Sequence, residues 1–253
     1  MHLLINFVVG WPCYAILPEI FDDRLCCLLI AADMADLRLN LAEIDSTLRA
    51  LQVDFKKINR VLTSPRDPMT DEVRANMMAG YERIDHVLAK GVDLFSPGNS
   101  RQLLELNTLV LFGDNRDKRK QHAKHIKLTE KSFYKQNGSG IGDLMDWYQQ
   151  HVKDSVWKRA AGAYINILSR PQLFIEGNHR TGALVMSYLL ARDSRPPFVL
   201  SVDNAKAYFE PSTLVKHTKK HSLVMLVRLP KLKKRFATLL EKNSDKRYLT
   251  KSG

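Results

Sequence analysis

The chain of 253 residues is long enough for one domain with accessory helices or for two small domains. Its 45% hydrophobic content is ordinary for a globular protein with a sizeable core. Three cysteines, Cys13, Cys26 and Cys27, are an odd number without metal-ligand spacing. That excludes a disulfide framework and fits a reducing, cytoplasmic setting. The net charge of +12 is uneven: residues 216–253 hold twelve Lys/Arg against Glu241 and Asp245. A basic tail can contact nucleic acid or an acidic membrane surface, but no stacking aromatics are interleaved with these charges. A solvated helix with a frayed end is the preferred reading, without a nucleic-acid partner.

The apolar opening, residues 3–21, lacks a cationic n-region, contains Pro12 and Pro18 and carries Glu19. It reads as a buried or partly irregular segment, neither a signal peptide nor a membrane span. Between residues 35 and 62, Leu37, Leu41, Ile44, Leu48, Leu51, Phe55, Ile58 and Leu62 recur at three- and four-residue steps, one apolar helical stripe. Pro65 and Pro68 end that helix. Thr70 has the chemistry of an N-cap for a second helix reaching Leu88. A short helix is expected over Arg101–Phe112. The segment 126–141 differs, with an alternating Ile126-Lys127-Leu128-Thr129, then Phe133-Tyr134 and Asn137-Gly138. Alternation followed by Asn-Gly predicts a β-hairpin. Helical pattern returns at 143–152, Val156–Leu168, Asn178–Arg192 and 223–240.

The residues that carry chemistry lie in 169–183, Ser-Arg-Pro-Gln-Leu-Phe-Ile-Glu-Gly-Asn-His-Arg-Thr-Gly-Ala. One apolar helix ends before Pro171, a Gly-containing loop follows, and a new helix starts near Asn178. Free N–H groups at that start favour an anion in the loop. Gly177 permits close backbone approach, and Arg180 offers a planar fork suited to phosphate oxygens. Glu176, just outside the nest, is a carboxylate that can hold Mg²⁺ against the same phosphates.

This segment resembles the Fic family pattern His-x-Phe-x-(Asp/Glu)-Gly-Asn-(Gly/Lys)-Arg-x-x-(Gly/Arg), with matches at Phe174, Glu176, Gly177, Asn178 and Arg180. The resemblance implies an all-α, Fic-like helical fold with a short β-hairpin flap. It divides the chain into an N-terminal helical region (1–99), a Fic-like core (100–220) and a basic C-terminal helix and tail (221–253). It implies ATP or a related nucleotide with Mg²⁺ as cofactors, and AMP transfer to a hydroxyl of a target protein. Phe174 would plug the core, Glu176 would hold the metal, and Asn178 would brace the loop. Gly177, Asn178, His179, Arg180, Thr181 and Gly182 would surround the nucleotide. The hairpin with Phe133 and Tyr134 would be the flap that clamps the target by strand addition.

The sequence departs from the pattern at three positions. The general-base histidine falls at Gln172, whose amide has no basic site near neutral pH. His179 stands where Gly or Lys is usual, and Ala183 replaces a second Arg. His179 could in principle act as a base instead, since a helix N-terminus lowers its pKa. The alternative to an enzyme is a catalytically silent Fic-like module that binds a nucleotide or a protein. His217 and His221 sit among lysines, which argues against metal binding there.

Overall fold

The computed structural model describes residues 37–136, 140–220 and 222–251, so the apolar segment 3–21 and His221 lie outside the described residues. The chain enters in strand β1 (Leu37–Leu39), where a helix was expected. It pairs antiparallel with β2 (Leu249–Lys251), Leu37 opposite Lys251 and Leu39 opposite Leu249. The partner strand lies at the far end of the chain, which no local spacing can announce. Asp85 fixes this ribbon by accepting from Arg38 Nε and from the Leu39 N–H, each at 2.9 Å.

Asn40 then caps α1 (Leu41–Arg60), accepting from the Glu43 N–H at 3.3 Å. The expected stripe is buried at Ile44, Leu48, Leu51, Phe55 and Ile58. After the proline turn, Thr70 caps α2 (Asp71–Ala89) through the Val73 N–H at 3.2 Å. Helix α3 is Arg101–Phe112, as expected.

The expected hairpin at 126–141 is corrected by the structure. Two short helices, α4 (Arg116–Gln121) and α5 (Ala123–Phe133), occupy this part of the chain, and α6 (Ile141–Gln150) follows. Residues 137–139, with the Asn-Gly pair, lie outside the described residues. The alternation misled because Leu128 is solvent-exposed, while Thr129 and Phe133 are buried and Ile126 is half-buried. Those inward positions are three and four apart, the helical period. The small strand pair of this otherwise all-α fold is therefore β1–β2, among the described residues.

The remaining helices are α7 (Val156–Leu168), α8 (Asn178–Arg192), α9 (Ala205–His217) and α10 (Leu223–Lys242), before a 3₁₀ turn at Lys246–Tyr248. Helix α9 escaped the sequence reading because Pro211 interrupts its pattern from inside. Helices α7 and α8 form the most extensive pair. Gly182 allows that close approach, since a Cβ there would meet Tyr164 of α7 at 2.6 Å, while Gly162 makes room for Trp147; α8 is buried continuously from Thr181 to Ala191. A helix apolar on all sides belongs at the centre of a fold. Each buried Leu, Val or Met there contributes roughly 1.5–3 kcal/mol, so truncating Leu184 alone would cost about 2–5 kcal/mol.

One buried cluster runs from Leu39 to Tyr248 and takes in residues of all three regions distinguished in the sequence. Tyr248 ties the C-terminus to α1: its hydroxyl lies 3.1 Å from Thr47 Oγ1, and its carbonyl accepts from Asn40 N–H at 2.9 Å. Among the described residues no helix is long and apolar enough to cross a membrane. The loop between α7 and α8 is the motif segment.

Candidate functional site

The loop leaves α7 under restraint from both sides. Arg170 N–H donates to the Thr218 carbonyl at 2.9 Å, and Lys220 N–H donates to the Arg170 carbonyl at 2.8 Å. Phe174 is buried and stacks on Phe133, with ring centroids 5.5 Å apart and planes at 13°. Phe174 thus fills the core role expected for it. Phe133 is its fully buried packing partner, and exposed Tyr134 follows at the end of α5. Neither residue belongs to a strand, so the flap assigned to them is corrected: a helix with its backbone groups internally paired has no strand edge to offer a peptide.

Asn178, the first residue of α8, is buried and closes the loop with both ends of its amide. Its Oδ1 accepts from the Phe174 N–H at 2.9 Å and its Nδ2 donates to the Phe174 carbonyl at 2.8 Å. Gly177 sits in the left-handed region, φ 76°, where a side chain is strained. A Cβ there would also lie 2.9 Å from Asn107 Nδ2. Asn107 on α3 donates to the Glu176 carbonyl at 2.9 Å and to Thr181 Oγ1 at 3.0 Å. Three elements therefore pin the loop, and no side chain caps the N-terminus of α8. Its first-turn N–H groups keep the positive end of the helix dipole.

This helix end opens on a cleft of about 400 Å³. Gln172, Glu176, Gly177, Asn178, His179, Arg180 and Ala183 line it from the motif. The turn between α1 and α2 supplies Arg66 and Asp67, and α9 supplies Tyr208, Phe209 and Lys216. Phe55, Met69 and Leu200 add apolar surface. Volume and mixed lining suit a nucleotide-sized ligand. Thr181 and Gly182 are buried and do not line the cleft; Thr181 braces Asn107, and Gly182 packs against the ring of Tyr164.

Arg180 donates to the Val110 carbonyl at 2.6 Å, leaving other donors of its fork towards the cleft. Burial lowers its pKa from the usual guanidinium value, while Glu176 and Asp67 act in the opposite direction. A guanidinium stays protonated regardless. Glu176 itself is exposed at the rim. Asp67 is a second exposed carboxylate of the cleft, and one or two carboxylates suit Mg²⁺ that takes its remaining oxygens from phosphates and water. No cluster of three or more His, Cys, Asp or Glu fit for a metal exists among the described residues.

His179 is neutral, its pKa pushed down to about 3 by burial first, then by Arg66 and Lys216. Its Nε2 faces Arg66 Nη1 at 3.4 Å and its Nδ1 faces the Tyr164 hydroxyl at 3.0 Å. Arginine can only donate, so Nε2 accepts and Nδ1–H donates to Tyr164. Tyr164 then donates to Ser212 Oγ at 2.7 Å, and Ser212 donates to the Tyr208 carbonyl at 2.5 Å. With both nitrogens committed, His179 is a structural link and not the free base considered from sequence. Gln172 is also engaged, donating from Nε2 to the Leu168 carbonyl at 3.1 Å and accepting from Asn178 Nδ2 at 3.4 Å.

Arg66, Asn107, Tyr164 and Lys216 were not identified from sequence. Asn107 carried a signal, a polar residue within the apolar run of α3. Arg66 stands between Pro65 and Pro68, whose helix-breaking signal carries no mark of a ligand. Comparison with protein-family models, with curated proteins and with solved structures finds no match for the chain.

Proposed function

We propose that this chain is a Fic-like nucleotide-binding protein of the adenylyltransferase type, moving AMP from ATP to a hydroxyl of a target protein. The observation that carries the reading is the uncapped N-terminus of α8, which opens beside Arg180 on a nucleotide-sized cleft. In the transfer, the target hydroxyl oxygen bonds to the α-phosphorus, the bond to the bridging oxygen breaks, and pyrophosphate leaves. Arg180 and the α8 N–H groups would hold phosphate oxygens, and Glu176 would hold Mg²⁺, which neutralises phosphate charge. Asn178 and Asn107 keep the loop in shape for this.

The hydroxyl proton has no receiver at Gln172, whose amide is held within the loop, and passes to solvent water. General-base help is worth about 10²–10⁴-fold, so transfer by the natural chain is slow. The same engaged Gln172 and His179 favour the second reading, a silent module that binds nucleotide without transferring it. Autolabelling with ATP radiolabelled at the α-phosphate, with Mg²⁺, compares the parent with Gln172→His after both are shown to bind ATP. The enzyme reading expects faster labelling by the histidine variant. Equal labelling would mean that another base operates, and binding without labelling in both would leave the silent module.

A further inference from the structure

We infer that Arg66, carried by the turn between α1 and α2, is the second cationic arm of the cleft and grips the phosphates of a phosphoanhydride ligand together with Arg180. The inference rests on the nucleotide-binding reading above. The residue is built into place. Its N–H donates to Asn59 Oδ1 at 2.7 Å, and Asn59 Nδ2 donates back to the Arg66 carbonyl at 2.9 Å. Its Nη2 donates to the Phe209 carbonyl at 2.9 Å and to Thr213 Oγ1 at 2.6 Å, with the guanidinium 5.1 Å from the Phe209 ring centroid.

All these partners are neutral, and among the described residues Arg66 makes no ion pair. Four half-enclosed arginines elsewhere, Arg74, Arg119, Arg159 and Arg192, each pair with a carboxylate, Asp45, Glu105, Asp193 and Asp93 respectively, whereas Arg83, bonded to the Gln102 amide, lines no cleft with a second arginine. Nη1 reaches only the neutral His179 ring, and Nε is buried without a partner. An enclosed cation without a counterion is costly unless a ligand supplies one. Arg180, in the first turn of α8, is likewise held by a carbonyl. Two guanidinium forks thus face one cleft, and a ligand with consecutive phosphates offers each its own anionic group.

Calorimetry on the full chain tests this with ATP, inorganic pyrophosphate and adenosine as probes. Arg66→Gln should bind ATP and pyrophosphate about ten- to hundredfold more weakly, with adenosine unchanged. Arg66→Lys keeps the charge and loses the fork, and should lose roughly two- to tenfold for pyrophosphate, which keeps the test valid if the glutamine variant fails to fold. Unchanged or tighter pyrophosphate binding by these variants would overturn the inference, tighter binding marking Arg66 as a plug. A parent that binds ATP alongside unaltered variants would remove Arg66 alone. A parent that binds neither ATP nor pyrophosphate would remove the nucleotide reading and Arg66 with it.

Discussion

Asn107 reaches from α3 to the carbonyl of Glu176, 2.9 Å away, and so holds the loop at the residue before its left-handed glycine. Asn107 is fully enclosed, and its amide also serves Thr181. Replacing it with leucine would leave the buried Thr181 hydroxyl and the part-buried Glu176 carbonyl without this donor. A loss of about 1–3 kcal/mol in unfolding free energy is expected, read from urea denaturation. A loss of only a few tenths would mean that water or another donor replaces the amide.

Gly177 meets two constraints at once, its positive φ and the nearness of Asn107 Nδ2. Gly177→Ala should destabilise by roughly 1–3 kcal/mol, since a left-handed alanine is strained before any contact is counted. Because Asn107 must move, the double variant with Asn107→Ala should cost less than the two single effects added together. Strict additivity in thermal melts would mean that the two residues do not meet.

Arg180→Ala should weaken ATP binding by about 1.5–3 kcal/mol, the range for a charge-assisted hydrogen bond to phosphate. Adenosine binding should be untouched. Calorimetry showing parent-like ATP affinity would confine Arg180 to its contact with the Val110 carbonyl.

His179 predicts how stability responds to acid. Its pKa falls from the ordinary histidine value to about 3 in the folded chain, with burial the main cause. The unfolded state therefore binds the proton more readily. The stabilisation is full above the unfolded pKa and is lost as pH falls through the window from about 6.5 towards 3. Between pH 7 and pH 5 this one group should cost the parent about 2 kcal/mol. His179→Gln lacks the titration, so its own loss over that interval should be smaller by the same amount. Parallel stability curves for the two proteins would contradict the neutral, doubly bonded ring.

Local chemistry in the sequence determined much of this protein. The stripe of Ile44, Leu48, Leu51, Phe55 and Ile58, the Thr70 cap and the bounds of Asn178–Arg192 follow from apolar period, capping and proline, which act within a few residues. The core position of Phe174 and the loop position of Asn178 were implied only by the motif's resemblance to a known family, and in the structure Phe174 is buried and Asn178 closes the loop on it. Tertiary structure decided the rest. Leu37–Leu39 became a strand because Leu249–Lys251 lies beside it, a pairing invisible to local pattern. Phe133 turned inwards on a helix because Phe174 offered it a ring to stack on, whereas the alternation at 126–129 suggested an edge strand. Arg66 entered the cleft because α1 and α2 pack so that their connecting turn meets α9. His179 lost its standing as a base for a comparable reason. Tyr164 and Arg66 come from different elements, and only folding brings both to one imidazole and fixes which nitrogen donates.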